Sequence, residues 1–273
     1  LDRRLVAWGP DLQTADQDAY RAFLDRYPRL ARIPVLGSVF ADAVSAEAVL
    51  ALKPDLVILD TVMSERGYRC VERLERAGLP LLYLDCSHDP LRDPQRSLRL
   101  LGKVLGQEEK ARAATAFVEA ELERVMGRLA GLKEPAPTVY LESGHRGVES
   151  YGNTYGYDGN RTLSSWGALM ARLGCRNVAA DLVASMGRIN PEYLLAADPD
   201  VIVITGACWT ECPGTMRLGY GVMPAEARER LQGFTRRPGW PELKAVRNGR
   251  VHSLFHGFCM HMTSFAAVQQ MAK

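Results

Sequence analysis

The sequence predicts two α/β lobes joined by a long helix, and three observations carry that reading. A helix–turn–strand unit occurs twice, short apolar strands alternate with helices in both outer thirds, and residues 93–132 between them are helix-forming almost throughout.

The repeated unit is SAEAVLALKPDLVIL at 45–59 and NPEYLLAADPDVIVI at 190–204, aligned without a gap. Each copy opens on a helix-capping residue type, Ser45 or Asn190, with a glutamate two places on, Glu47 or Glu192. Leu50-Ala51 matches Leu195-Ala196, and Pro54-Asp55 and Pro199-Asp200 then lead into an aliphatic run.

In the first third, RLVAWG (4–9) reads as a short apolar strand and DAYRAFLDRY (18–27) has helical spacing. LVIL (56–59) is a strand, SERGYRCVERLERAG (64–78) an amphipathic helix ended by Gly78, and PLLYLD (80–85) another strand. The last third does the same with TVYLES (138–143), a helix near 162–173, the second repeat copy and RVHSLF (250–255). Continuously apolar strands set between helices are the pattern of a parallel sheet covered on both faces.

The middle stretch places Leu98, Leu101, Leu105, Ala113, Phe117, Leu122, Val125 and Leu129 at helical spacing, with Gly102 and Gly106 as candidate breaks. From Glu108 about 25 residues continue, a helix of roughly 35–40 Å, long enough to run from one lobe to the other. KEPAPT (133–138) stops it with two prolines. The expected division is therefore an N-terminal lobe at 1–93, a bridging helix at 94–132 and a C-terminal lobe at 133–273.

Composition narrows the function. With 47% apolar and 24% charged residues and a net charge of +2, nothing points to nucleic acid or an anionic membrane surface. No apolar run approaches 18 residues, so no bilayer-spanning helix is expected. The first residues run almost directly into a strand and the last stop within a helical pattern. The chain is accordingly expected to be a mature or trimmed form, and the absence of a signal peptide says little about compartment. Six cysteines (Cys70, Cys86, Cys175, Cys208, Cys212 and Cys259) show neither a CxxC pair nor zinc-ribbon spacing. Cys208 and Cys212 in CWTEC are spaced to close a small disulfide loop in an exported protein; buried or free thiols are the plainer reading.

Ligands of open α/β sheets bind beyond the carboxyl ends of the strands. Those ends are Trp8-Gly9, Asp60-Thr61 and Asp85-Cys86 in the first lobe, and residues 143–146, 206–209 and 256–258 in the second. Facing lobes would line one cleft with them. Two loops there are unusual: GHRGVESYGNTYGYDGN (144–160), with His145, Arg146, Tyr151, Tyr155 and Tyr157 among five glycines, and FHGFCMHM (255–262), with His256 and His261. Imidazole and phenolate are iron ligands, Arg suits a carboxylate or oxyanion, and aromatic and Met side chains suit a flat apolar ligand. Each tyrosine alone is as well explained by a packed surface loop; the group together favours a ligand-facing role. His88 and His252 read as surface or strand residues. Catalytic motifs such as GxSxG, a P-loop or HExxH are absent, and nothing in the spacing fixes Glu142 or Glu149 as the partner of a base.

RLVAWGP, IPVLGS, the two repeat copies, AGLPLLYLD, LGKVLGQEEKA before a long helix, GCRNVAAD and PELKAVRNGRVHSL occur in that order over nearly the whole chain. This order resembles the solute-binding proteins of ABC importers for iron–siderophores, haem and cobalamin. The resemblance implies a class III periplasmic binding protein-like fold, with two Rossmann-like α/β lobes joined by a rigid helix. It also implies a monomer in the periplasm, or lipid-anchored outside the cytoplasmic membrane, that has no intrinsic cofactor. Such a protein binds its ligand between the lobes and delivers it to an ABC permease dimer with its ATPase subunits. Glu47 and Glu192 match the acidic residues that dock on the permease, although a glutamate in a first helical turn is also favoured by the helix dipole. Trp8, Asp60, Thr61, His145, Arg146, Tyr151, Tyr155, Trp209, His256 and His261 are the ligand-binding candidates. His145, His256, His261 and Tyr151 would reach the metal wherever a bound chelate leaves iron sites open. The order of ligands implied is a ferric siderophore or haem, then a molybdate- or tungstate-type oxyanion, then cobalamin. Loop 144–160 is longer and richer in Tyr and Gly than the family pattern. The alternatives of another class are a tetrapyrrole or metal chelatase using His145 with Glu142, and a surface adhesion module.

Overall fold

The computed structural model describes residues 3–39, 41–157, 165–209, 214–258 and 261–273. It separates into two compact units, Leu1–Asp85 with Gly219–Gly221, and Cys86–Leu218 with Val222–Lys273. The helical stretch expected to stand between the lobes is counted within the second unit, and the first unit ends at Asp85 rather than at residue 93.

The first unit runs α1 (Asp11–Ala15), α2 (Gln17–Arg26), α3 (Ala46–Ala51), β1 (Val57–Asp60), α4 (Thr61–Glu65), α5 (Arg69–Arg76) and β2 (Leu81–Leu84). β1 and β2 pair in parallel, from Val57 opposite Leu81 to Asp60 opposite Leu84. The strand expected over 4–9 is reduced to a single parallel bridge between Trp8 and Val35. Pro10 and Pro34 flank that bridge and have no N–H to extend a ladder. The helix expected over 64–78 is two helices, because Gly67 turns left-handed at φ +64° between α4 and α5. Tyr68 gives α5 no side-chain cap. Asp42 does so from a distance, its carboxylate accepting from Cys70 N–H at 2.7 Å and from Arg69 Nε at 3.0 Å. Val44, Val49, Leu59, Val71 and Leu74 form the core of this unit.

The second unit begins with α6 (Asp93–Val104) and α7 (Glu108–Ala130). There follow β3 (Thr138–Ser143), β4 (Thr154–Tyr155), α8 (Ser165–Arg172), β5 (Arg176–Asn177), β6 (Met186–Gly187) and α9 (Pro191–Ala197). β7 (Val201–Gly206), α10 (Pro224–Thr235), α11 (Lys244–Arg247), β8 (Val251–Phe255) and α12 (Ser264–Met271) complete it. The main sheet has the order β5-β3-β7-β8, all parallel, and β4 and β6 make a short antiparallel ribbon.

Side chains alternate across the main sheet as a strand requires. Val139, Leu141, Val203 and Leu254 join one core cluster, whereas Tyr140, Ile202 and Ile204 join the other. α7 covers the first face, where Val118, Leu122 and Val125 enter the same cluster as the strand residues. That shared core is why the long helix belongs to this unit. Gly106, at φ +63°, ends the α6 turn, while Gly102 stays helical. A Cβ at Gly102 would lie 2.3 Å from Ala111 Cβ, so the hydrogen there lets α6 and α7 approach closely.

Both repeat copies fold alike, as α3–β1 and α9–β7. Ser45 Oγ accepts from Ala48 N–H, and Asn190 Oδ1 from Glu192 N–H. Lys53 (φ +46°) and Asp198 (φ +40°), each just before the Pro-Asp pair, both adopt the left-handed conformation. Among the described residues no helix is long and apolar enough to cross a membrane.

Candidate functional site

Register places Ser143, at the end of β3, opposite Thr205 of β7, and Thr205 opposite Leu254 of β8. By the alternation above, both hydroxyls project on the face that α7 covers. Each meets a histidine just beyond a strand end. His145, in the 3-10 turn Gly144–Arg146, has Nδ1 3.0 Å from Ser143 Oγ. His256, following β8, has Nδ1 2.8 Å from Thr205 Oγ1.

Trp209 joins the two imidazoles, its ring centroid 6.1 Å from His145 and 5.1 Å from His256, both edge-on. Tyr155 and Trp166 lie behind His256 with centroids 6.5 and 6.0 Å away. Packed in this way, His256 has its pKa pushed down to about 4, chiefly by burial and then by the neighbouring His145 and His261. It is a neutral imidazole at every physiological pH. In the tautomer whose Nδ1–H donates to Thr205 Oγ1, the Nε2 lone pair can take a metal or accept from a donor.

Four of the expected ligand residues in this unit, His145, Tyr155, Trp209 and His256, are thus brought together, with His261 in electrostatic reach. Arg146 is exposed. Tyr151 goes elsewhere: its hydroxyl accepts from Trp240 Nε1 at 2.8 Å and its ring lies under the Arg237 guanidinium at 4.6 Å. Those contacts commit Tyr151 to the opposite face of the sheet. In the first unit, Asp60 caps α4, accepting from Val62 N–H at 2.9 Å, and Thr61 is that helix's first residue. Trp8 packs on Tyr20 with centroids 5.7 Å apart.

Among the described residues no group of three His, Cys, Asp or Glu side chains is arranged to hold a metal ion. Among the described residues the wall is aromatic and imidazole in character. Cys208 is a free thiol receiving a hydrogen bond from Arg217 at 3.2 Å; its expected disulfide partner, Cys212, lies outside the described residues, as does Cys259.

The expected alternative pairing of His145 with Glu142 is overturned. Glu142 is fully buried on the far face of β3, salt-bridged to Arg237 and accepting from Tyr140 and from Gly152 N–H. Burial, and then the charge of Glu142, push the Tyr140 hydroxyl well above the ordinary phenol range. A carboxylate so engaged is held on the face away from His145.

Sequence reasoning placed Ser143 at a strand end without giving it a role, and missed Thr205 and Trp166. The two hydroxyls had a legible signal, since each occupies a strand-end position. Trp166 had none, because its helical spacing is that of an ordinary core residue.

The two α/β units each carry one copy of a common helix–turn–strand element, and the second holds an aromatic–imidazole wall at the carboxyl edge of its parallel sheet. The periplasmic binding protein family matches residues 5–255, and the chain belongs to that family. It is an extracytoplasmic protein and not an enzyme. The crystal structure of a TroA-like periplasmic binding protein, FepB, from Veillonella parvula is similar, with 33% identity and a TM-score of 0.86 over 98% of this chain and 76% of that one. An uncharacterised ABC transporter substrate-binding lipoprotein of Bacillus subtilis strain 168, YvrC, is 22% identical over 84% of this chain and 63% of its own length. The Fe(3+) dicitrate-binding periplasmic protein FecB of Escherichia coli K12 is 28% identical over 59% of this chain and 48% of its own. The chain thus spans about half to two thirds of the length of these curated relatives.

Proposed function

We propose that the chain is the solute-binding component of an ABC importer and that its cargo is an iron complex, a ferric siderophore or haem. The observation that carries this reading is the edge-on His145–Trp209–His256 cluster at the strand ends of the second unit, backed by Tyr155. Edge-on aromatic rings suit a flat, unsaturated ligand, and a neutral imidazole supplies nitrogen to iron without bringing a charge. The name of the ferric dicitrate-binding relative agrees with iron. The partners are an ABC permease dimer and its ATPase subunits, with Glu47 and Glu192 as docking residues on the first turns of α3 and α9.

Titration with haemin, a ferric catecholate, molybdate and cobalamin, read by absorption and native mass spectrometry, tests the cargo. Haemin or the ferric catecholate is expected to bind one-to-one and to lose at least tenfold in affinity in His256→Ala. Saturable molybdate binding lost in Arg146→Ala, with no iron complex bound, would overturn the assignment.

A further inference from the structure

Loop 143–153 carries His145 and closes on itself through Ser143 N–H donating to Asn153 O at 2.8 Å. Behind it stands Arg237, just after α10 and 4% exposed. Its guanidinium pairs with both carboxylate oxygens of Glu142, at 2.8 and 3.0 Å. Nε donates to Val148 O at 2.9 Å, and Nη2 is shared with Gly147 O and Ser150 O, both at 2.9 Å. Glu142 completes the set by accepting from Gly152 N–H at 2.8 Å. The faces of the guanidinium are filled by Tyr151 and Phe234, at 4.6 Å each, and Trp240, at 4.9 Å.

Among the described residues, every backbone acceptor of the guanidinium is in residues 147–150, and the backbone donor to its partner is residue 152. A buried ion pair is a costly way to fill a core, and a hydrophobic replacement of similar volume is often as stable. Here the pair converges on one loop, whose other side presents the candidate ligand residues. Gly152 fits the same constraint, since a Cβ there would meet Ser143 O at 1.8 Å.

We infer that Arg237, held by Glu142, is the positioning residue of the ligand loop, fixing residues 144–152 so that His145 stands in its binding position before cargo arrives. The inference rests on the reading of this loop as part of the cargo site. A preformed loop does not lose conformational entropy on binding, so the effect is on affinity more than on stability.

The test replaces the pair with apolar residues of similar volume, Glu142→Leu/Arg237→Met, alongside Arg237→Lys, which keeps the charge and loses the fork of donors. Amide hydrogen exchange is measured without ligand, and haemin and ferric catecholate affinity is measured separately. The double variant is expected to melt near the wild-type temperature. In both variants amides 147–152 should exchange at least tenfold faster with β3 and β7 unchanged, and affinity should fall at least tenfold. Wild-type exchange in either folded variant overturns the inference, as does faster exchange with full affinity. If neither variant folds, the pair is a determinant of the fold and the inference is again overturned. Failure of the wild-type protein to bind either iron complex would instead count against the cargo, because the exchange measurement needs no ligand.

Discussion

His256 has a folded-state pKa of about 4, below the ordinary histidine value near 6.5 that it regains on unfolding. Between those values the unfolded chain binds more protons than the folded one, so stability rises with pH across that window. The full contribution is present above pH 6.5 and is lost as pH falls towards 4, on the order of 3 kcal/mol at most. Thermal melts of wild type and His256→Gln from pH 4 to 8 should show it. The wild type should lose melting temperature below pH 6.5 more steeply than the variant, and parallel curves would contradict the assignment. At this scale the sequence located His256, His145 and Trp209 because strand ends can be counted. It did not separate Tyr151 from Tyr155, because which face of the sheet a loop tyrosine reaches depends on Arg237 and Trp240, distant in sequence.

Helices and strands were legible where the pattern was local. The repeat predicted α3–β1 and α9–β7 with their caps, and β8 and α7 fall close to their expected limits. The misses involve backbone punctuation. Gly67 divides one expected helix, and prolines beside the Trp8 bridge leave an expected strand almost unpaired. Gly102 shows the converse, a glycine that looked like a break and is a close-packing point. Gly102→Val would drive a branched side chain into Ala111 and should cost about 1–3 kcal/mol by overpacking. Gly127 in α7 meets nothing within 4 Å, so Gly127→Ala should instead stabilise by up to about 1 kcal/mol. Denaturant unfolding of the two variants should therefore move the midpoint in opposite directions.

For the whole molecule, duplication is the organising fact. Glu47 and Glu192 occupy the same position, second in the first turn of their helices, and both are exposed. Ser45 Oγ donates to Glu47 at 2.7 Å and lowers its pKa, so this carboxylate stays charged. A Glu47→Ala/Glu192→Ala double variant is expected to bind cargo with wild-type affinity and to lose uptake in a reconstituted transport assay. Uptake at the wild-type rate would sink the docking role. Two α/β units were readable from the repeat and the alternation of elements. The allocation of α7 to the second unit was not, because helical spacing reveals an apolar face and says nothing of which sheet it will cover.

Ser143 and Thr205 have one further consequence. A hydroxyl donates or accepts with equal ease, so each imidazole that it holds can exchange tautomers while every heavy atom stays in place. The same wall then presents an N–H to one guest and a lone pair to the next, and its chemical polarity is set by the movement of hydrogens alone.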